Sequence, residues 1–350
     1  MRTFPNPDLA FSKCVSILTG PETYLDHLGV LSSVLGIPLI VTDDKAYQAA
    51  KTFYPDIDVE LKYFDELTLE YLASQFDVIF ETGKFWAAEL KPFLELLFRK
   101  KMRFVFCPHG NSDKGHSLQN HVNQDISLVY GDHLHDLLKQ NGAANQVNHF
   151  VKTGNYRYPY YLRHRAFYDA LAEEHVFKHF QSEKPIILYA PSWQDRENPT
   201  SFFTQTDRLI EELSPAYHLL IKLHPFLVED CPAQVLNIQG RYENHPSVQF
   251  LTDFPPIYPL LARCSLYLGD YSSIGYDFLA FDKPLYFLNS ANRSPLQTCG
   301  LAVPDDRNIS EFLNETRNKN FSDQRKKIYY YAFGEERLTA DIISEIKTLI

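Results

Sequence analysis

Leu266-Tyr-Leu-Gly-Asp-Tyr-Ser-Ser-Ile-Gly-Tyr-Asp-Phe-Leu-Ala280 reads as an apolar strand, a hydroxyl-rich turn and the start of a helix. A strand that feeds a helix N-terminus is the repeating unit of parallel sheets with crossover helices, so the stretch predicts an α/β protein. Ser272 and Ser273 fall where the helix should begin. Hydroxyls and backbone N–H groups at such a terminus form an anion site, reinforced by the positive end of the helix dipole. Asp277 lies one turn further along, within reach of a ribose if a phosphate occupies the terminus. Serine is also an ordinary helix cap, and that reading stands beside the first.

The same alternation of short β-branched runs and helical periods covers the chain. Strands are expected near Val15 to Leu18, Pro38 to Thr42, Val59 to Phe64, Val78 to Glu81, Phe104 to Cys107, Ile126 to Tyr130 and His149 to Lys152. A second series follows at Ile186 to Ala190, His218 to Lys222, Val248 to Leu251, Leu266 to Gly269 and Leu285 to Leu288. A helix is expected over Phe85 to Arg99. The polar stretch Gln181 to Lys184 before Pro185 marks the boundary between two Rossmann-like domains, residues 1–180 on the acceptor side and 181–322 for a nucleotide. Residues 323–350 carry two helical patterns separated by Gly334, expected to pack back across the lobes.

With 350 residues the chain exceeds one ordinary core, which also favours two domains. A net charge of -10 argues against broad nucleic-acid binding, which needs surplus Lys and Arg to displace phosphate counterions. The five cysteines are scattered without a C-x-x-C pair and read as reduced thiols in a cytoplasmic protein. Met1 to Phe11 has no apolar run suited to a signal peptide, and no stretch is long enough to span a bilayer, so any membrane contact is expected to be peripheral.

Ligands of open parallel sheets bind beyond the carboxyl ends of the strands, which draws attention to three further loops. The first follows Phe104 to Cys107 and holds His109, Gly110, Asp113 and Lys114. An imidazole there suits general-base work near neutrality, although a histidine can also merely cap a strand end. The second, Lys222-Leu-His-Pro225, aims two cationic or donor groups where diphosphate charge would grow. In the third, Leu188 to Asp195, Trp193 either flanks a base or seals the lobe. Glu22, Asp26 and His27 after the first strand, and Arg157 after Thr153-Gly154, are further candidates. No metal-ligand spacing appears, because the 13 histidines are dispersed.

Taken together, these residues resemble the CDP-glycerol glycerophosphotransferase family, the polymerases and primases of wall teichoic acid. His109-Gly110 with Lys114 resembles its H-G-T-P-L-K, and Thr153-Gly-Asn-Tyr-Arg157 its T-G-x-P-R. Ile187 to Trp193 resembles I-L-Y-A-P-T-W, Lys222 to Pro225 resembles K-x-H-P, and Asp270 to Phe278 resembles D-Y-S-S-x-x-F-D-F. Five matches in one order are far more specific than any alone. The resemblance implies a GT-B architecture of two Rossmann-like domains whose parallel sheets face an interdomain cleft. It also implies metal-independent transfer of an alditol phosphate, without a cofactor, from a CDP-alditol donor to a hydroxyl acceptor, lipid-linked acceptors included. His109 would be the base; His224, Ser272 and Ser273 would hold the diphosphate, with Lys222, Arg157, Trp193 and Asp277 on the nucleotide. Gly110, Asp113, Lys114, Glu22, Asp26 and His27 would lie on the acceptor side. A GT-B glycosyltransferase, a UDP-sugar epimerase-like enzyme and a nucleotide-binding protein without catalysis are the competing readings.

Overall fold

The computed structural model describes residues 13–83, 86–195, 199–288 and 294–350, leaving aside the side chains of residues 116 and 117. Met1 to Phe11 and Phe85 therefore lie outside the described residues. The chain forms two compact units: the described residues of Met1–Tyr160 with Ala332–Ile350, and Tyr161–Tyr331.

The first unit holds a parallel sheet of seven strands: β1 (Cys14–Leu18), β2 (Leu39–Val41), β3 (Val59–Leu61), β4 (Val78–Glu81), β5 (Arg103–Phe106), β6 (Ile126–Val129) and β7 (His149–Lys152), in the order β3-β2-β1-β4-β5-β6-β7. Its helices are α1 (Leu28–Leu35), α2 (Asp44–Phe53), α3 (Leu69–Gln75), α4 (Trp86–Phe98) and α5 (Asp132–Gln140), and α6 (Arg157–Arg163) carries the chain into the second unit. Val15, Ile17, Ile79 and Phe104 pack with Leu94 of α4 into one core. Strands covered on both faces must be apolar throughout, which is why they read as short continuous runs.

In the second unit the strands are β8 (Ile186–Ala190), β9 (His218–Lys222), β10 (Val248–Leu251), β11 (Leu266–Gly269), β12 (Leu285–Phe287) and β13 (Leu301–Ala302), in the order β10-β9-β8-β11-β12-β13. Its helices are α7 (Arg165–His175), α8 (Phe202–Leu213), α9 (Pro225–Asp230), α10 (Pro232–Tyr242), α11 (Tyr258–Arg263), α12 (Ile274–Phe278), α13 (Ile309–Thr316) and α14 (Ser322–Phe333). Leu209, Ile210 and Leu213 of α8 pack on Ile187, Leu219 and Ile221 of the sheet. The last helix, α15 (Thr339–Leu349), returns to the first unit and packs on β7 and α1.

All twelve expected strands are present, and β13 is an addition: two residues at a sheet edge are too short to leave a periodic signal. The third strand stops at Leu61, and Phe64 begins a 3-10 turn instead. The division between units falls at Tyr160, inside the aromatic segment that the sequence places before a boundary at residue 180, and the tail divides at Tyr331 inside α14. α4 closes with a cap in which the amides of Arg99 and Lys100 reach the carbonyls of Glu95 and Leu94, each at 3.1 Å. Arg99 takes a left-handed φ of 53°, a conformation that glycine adopts freely and that costs a side chain about 1–2 kcal/mol.

In each unit the chain leaves a central strand toward both sides, so crevices open at the carboxyl ends between β1 and β4 and between β8 and β11.

Candidate functional site

In the second unit, three loops meet on one sheet edge because their strands are neighbours: β9, β8 and β11. The β11 loop begins at Gly269, where an added Cβ would stand 2.1 Å from the Tyr267 hydroxyl. Only glycine leaves room for that ring, and burial first holds the Tyr267 pKa well above its ordinary value.

Asp270, 1% exposed, ties the edge together. One carboxylate oxygen accepts the amides of Ser192 at 2.7 Å and Tyr271 at 2.6 Å; the other accepts the Ser201 amide at 3.0 Å and its hydroxyl at 2.8 Å. One side chain thus holds the β8 loop, the β11 loop and the start of α8 in fixed register. Buried carboxylates are tolerated only with such satisfaction. The Ser192 hydroxyl, on a residue 1% exposed, has no hydrogen-bond partner among the described residues.

Ser272 is 9% exposed, and its hydroxyl accepts the Ile274 amide at 3.4 Å, a weak bond. Ser273 occupies the N-cap of α12 yet its side chain makes no cap bond. Plain capping therefore does not account for the pair. The helix is one turn, Ile274–Phe278, extended by a 3-10 turn, so the anion-binding capacity rests on hydroxyls and local amides more than on a long dipole.

Lys222 is the last residue of β9 and 5% exposed. His224 caps α9, its Nδ1 accepting the Phe226 amide at 3.2 Å. That bond leaves the proton of the neutral ring on Nε2, a donor at the tip. Trp193 lies beside it, with ring centroids 6.1 Å apart, and is 5.2 Å from Phe226. Trp193 therefore walls His224 and packs on the core.

The first unit builds its own network behind His109. His109 is half-buried and stacks on Tyr24, ring centroids 4.5 Å apart. Its neighbour Gly110 has φ 136°, outside the range of ordinary side chains, which shapes the turn after the histidine. Tyr130 donates to the Pro108 carbonyl at 2.9 Å, and His27 Nδ1 donates to the Tyr130 hydroxyl at 2.6 Å. Burial first, then the charges of Arg157 and His109, hold the His27 pKa well below the ordinary imidazole value. Asp26 and Arg157 form a buried ion pair of 2.7 Å, and Tyr54 donates to the other Asp26 oxygen at 3.3 Å.

With this geometry in place, the comparison with known proteins is decisive. Residues 108–291, just over half of the chain, match the family model described as CDP-Glycerol:Poly(glycerophosphate) glycerophosphotransferase. The chain belongs to this family.

Among curated glycerophosphotransferase relatives, a teichoic acid glycerol-phosphate primase of Bacillus spizizenii is 28% identical over 140 residues, 39% of this chain and 34% of the primase. A teichoic acid poly(ribitol-phosphate) polymerase of the same organism is 24% identical over 177 residues, 49% of this chain and 27% of the polymerase. The match thus spans 27% to 34% of the length of these relatives. The solved wall teichoic acid polymerase TagF is similar over 98% of this chain and 88% of its own, at 15% identity and a TM-score of 0.61. S. aureus MnaA, solved with UDP, is similar over 97% of this chain and 98% of its own, at 17% identity and a TM-score of 0.61. These likenesses establish the GT-B fold.

Three of the expected site residues have partners within their own unit. The Arg157 guanidinium pairs with Asp26 at 2.7 Å, with 2% of the side chain exposed. Asp113, expected on the acceptor side, binds His133 Nε2 at 2.8 Å. Asp277 is 5% exposed and accepts from the Tyr258 hydroxyl at 3.1 Å. On the acceptor side, Asp26 and His27 are buried behind His109, Glu22 pairs with Lys45 at 2.9 Å, and Lys114 is 8% exposed.

Asp270, Ser192 and Ser201 are the site residues that sequence reasoning missed. Asp270 carried a signal, a carboxylate at the last position before a strand-end turn; Ser201 carried none. A cavity of about 520 Å³ in this unit is elsewhere, at the amino end of the sheet, lined by Pro185, Ile186, His218 and Ser265 among others.

Proposed function

We propose that the chain transfers an alditol-phosphate unit from a CDP-activated donor such as CDP-glycerol to an acceptor hydroxyl. One observation carries the reading: three motif loops leave adjacent strands of the second unit at the same sheet edge, and Asp270 ties two of them, after β8 and β11, to the start of α8. In this reading, Ser272, Ser273 and Ser192 donate to the diphosphate. Lys222 and His224 Nε2 meet the charge that grows on the departing phosphate. The acceptor oxygen bonds to the phosphorus that carries the alditol as the bridging P–O bond breaks. CMP leaves, and the acceptor proton passes to His109.

Positive charge aimed at the leaving group lowers the barrier only if it binds the transition state more tightly than the donor. His224→Ala should then lower release of CMP from CDP-glycerol more than it weakens CDP binding. With Lys222 and His224 supplying the charge, turnover should survive a chelator. Equal losses of turnover and binding in His224→Ala would reduce His224 to a binding residue, and activity lost to the chelator and restored by magnesium would overturn the metal-free part.

A further inference from the structure

We infer that Tyr24 is a positioning residue that clamps the His109 imidazole in the orientation it needs toward the acceptor hydroxyl. The inference deepens the proposed transfer and rests on His109 as its base. The two rings are stacked, 4.5 Å apart between centroids and 24° from parallel, and they join the loop after β1 to the loop after β5. Both residues are half-buried. A general base has to meet its proton within hydrogen-bond reach and along a lone pair, and an imidazole free to rotate spends much of its time elsewhere. Asp113, the carboxylate of the same loop, is bound to His133 at 2.8 Å, and what meets the face of the imidazole is Tyr24.

Tyr24 restrains a neighbour only if it is itself fixed. It stands in the 3-10 turn Glu22–Asp26, where Leu25 and Asp26 are buried. Asp26 pairs with Arg157 at 2.7 Å and accepts from Tyr54 at 3.3 Å, which pins the turn to its own unit. His27, the C-cap of the turn, bonds the Tyr130 hydroxyl at 2.6 Å, and that hydroxyl donates to the Pro108 carbonyl at 2.9 Å. One turn is thus joined to the histidine loop twice, by the ring stack at His109 and by a hydrogen-bonded chain to the residue before it. An added Cβ at Gly20 would stand 3.0 Å from Cε2 and 3.1 Å from Cδ2 of Tyr24, so glycine lets the β1 loop close tightly on the ring. A tyrosine serving only the core would be buried as Leu25 is; Tyr24 stays half-buried, with the loop histidine stacked on its ring.

Stacking favours the paired orientation about three- to tenfold, and the test reads that factor. Tyr24→Leu should lower release of CMP from CDP-glycerol about three- to tenfold in kcat, with KM and CDP affinity within about twofold. Tyr24→Phe keeps the ring and should stay within about twofold of the wild-type chain. The contact also has a signature independent of turnover. The ring current of Tyr24 should move the Hε1 and Hδ2 NMR signals of His109 upfield in the full wild-type chain, those signals being assigned by their loss in His109→Gln. Wild-type signals without that shift would overturn the clamp, whether or not the leucine variant folds. So would a Tyr24→Leu chain with unchanged melting and unchanged kcat, or a Tyr24→Phe chain as slow as Tyr24→Leu. A fully active His109→Ala beside shifted wild-type signals would instead overturn the base assignment, and the signals tell the two failures apart.

Discussion

Replacing His109 with alanine should lower turnover by about 10²- to 10⁴-fold while CDP affinity stays within a few fold, as expected for a general base whose donor is bound elsewhere. His109 is our proposed base, and the partners of its two rivals are the ground for preferring it. His27 is buried, donates its Nδ1 proton to Tyr130, and has a pKa held well below the ordinary value by burial and by the Arg157 charge. Asp26 is committed to Arg157 at 2.7 Å. Neither is placed to take a proton from a substrate. His27 instead joins the segment before His109, through Tyr130 and the Pro108 carbonyl.

Asp26→Asn should accordingly act on stability, because removing one partner of a buried ion pair strands the other, at a cost of about 3–5 kcal/mol. Assaying CMP release and CDP binding in parallel separates these effects. An active His109→Ala with an inactive but folded His27→Ala would move the base to the first loop.

Ser272→Ala/Ser273→Ala is expected to weaken CDP binding by at least tenfold, from loss of hydrogen bonds to a charged group worth about 1.5–3 kcal/mol each. Were the serines only helix caps, the double variant would lose about 1 kcal/mol of stability and no affinity. The absence of a cap bond at Ser273 and the long 3.4 Å bond at Ser272 favour the first outcome. Titration calorimetry with CDP decides between them, and unchanged affinity would remove the diphosphate from this turn.

The architecture was legible because parallel strands covered on both faces leave dense apolar runs, and all twelve expected strands appear. The motif loops were legible for the same reason, since each ends such a run. What escaped was partner choice. Arg157 follows a glycine turn as a phosphate-binding arginine would, yet its guanidinium faces Asp26, 131 positions earlier in the chain. Asp113 sits four residues from His109, yet its oxygen meets His133 on α5. Asp277 has the one-turn spacing of a ribose ligand, yet Tyr258 on α11 claims it. Such pairings depend on which helix covers which strand end, and local periodicity carries no record of that. Asp270 was hidden in the opposite way, because its importance lies in four donors from three separate segments.

The central claim, that the second unit holds a cytidine diphosphate donor, is tested most directly by thermal unfolding with CDP, UDP or GDP. A ligand at a hundredfold excess over its Kd adds about 2.7 kcal/mol to the stability of the native state. CDP should raise Tm by several degrees, and UDP and GDP at the same concentration by clearly less. A shift with UDP that equals or exceeds the shift with CDP would contradict the assignment and place the chain with uridine nucleotides instead.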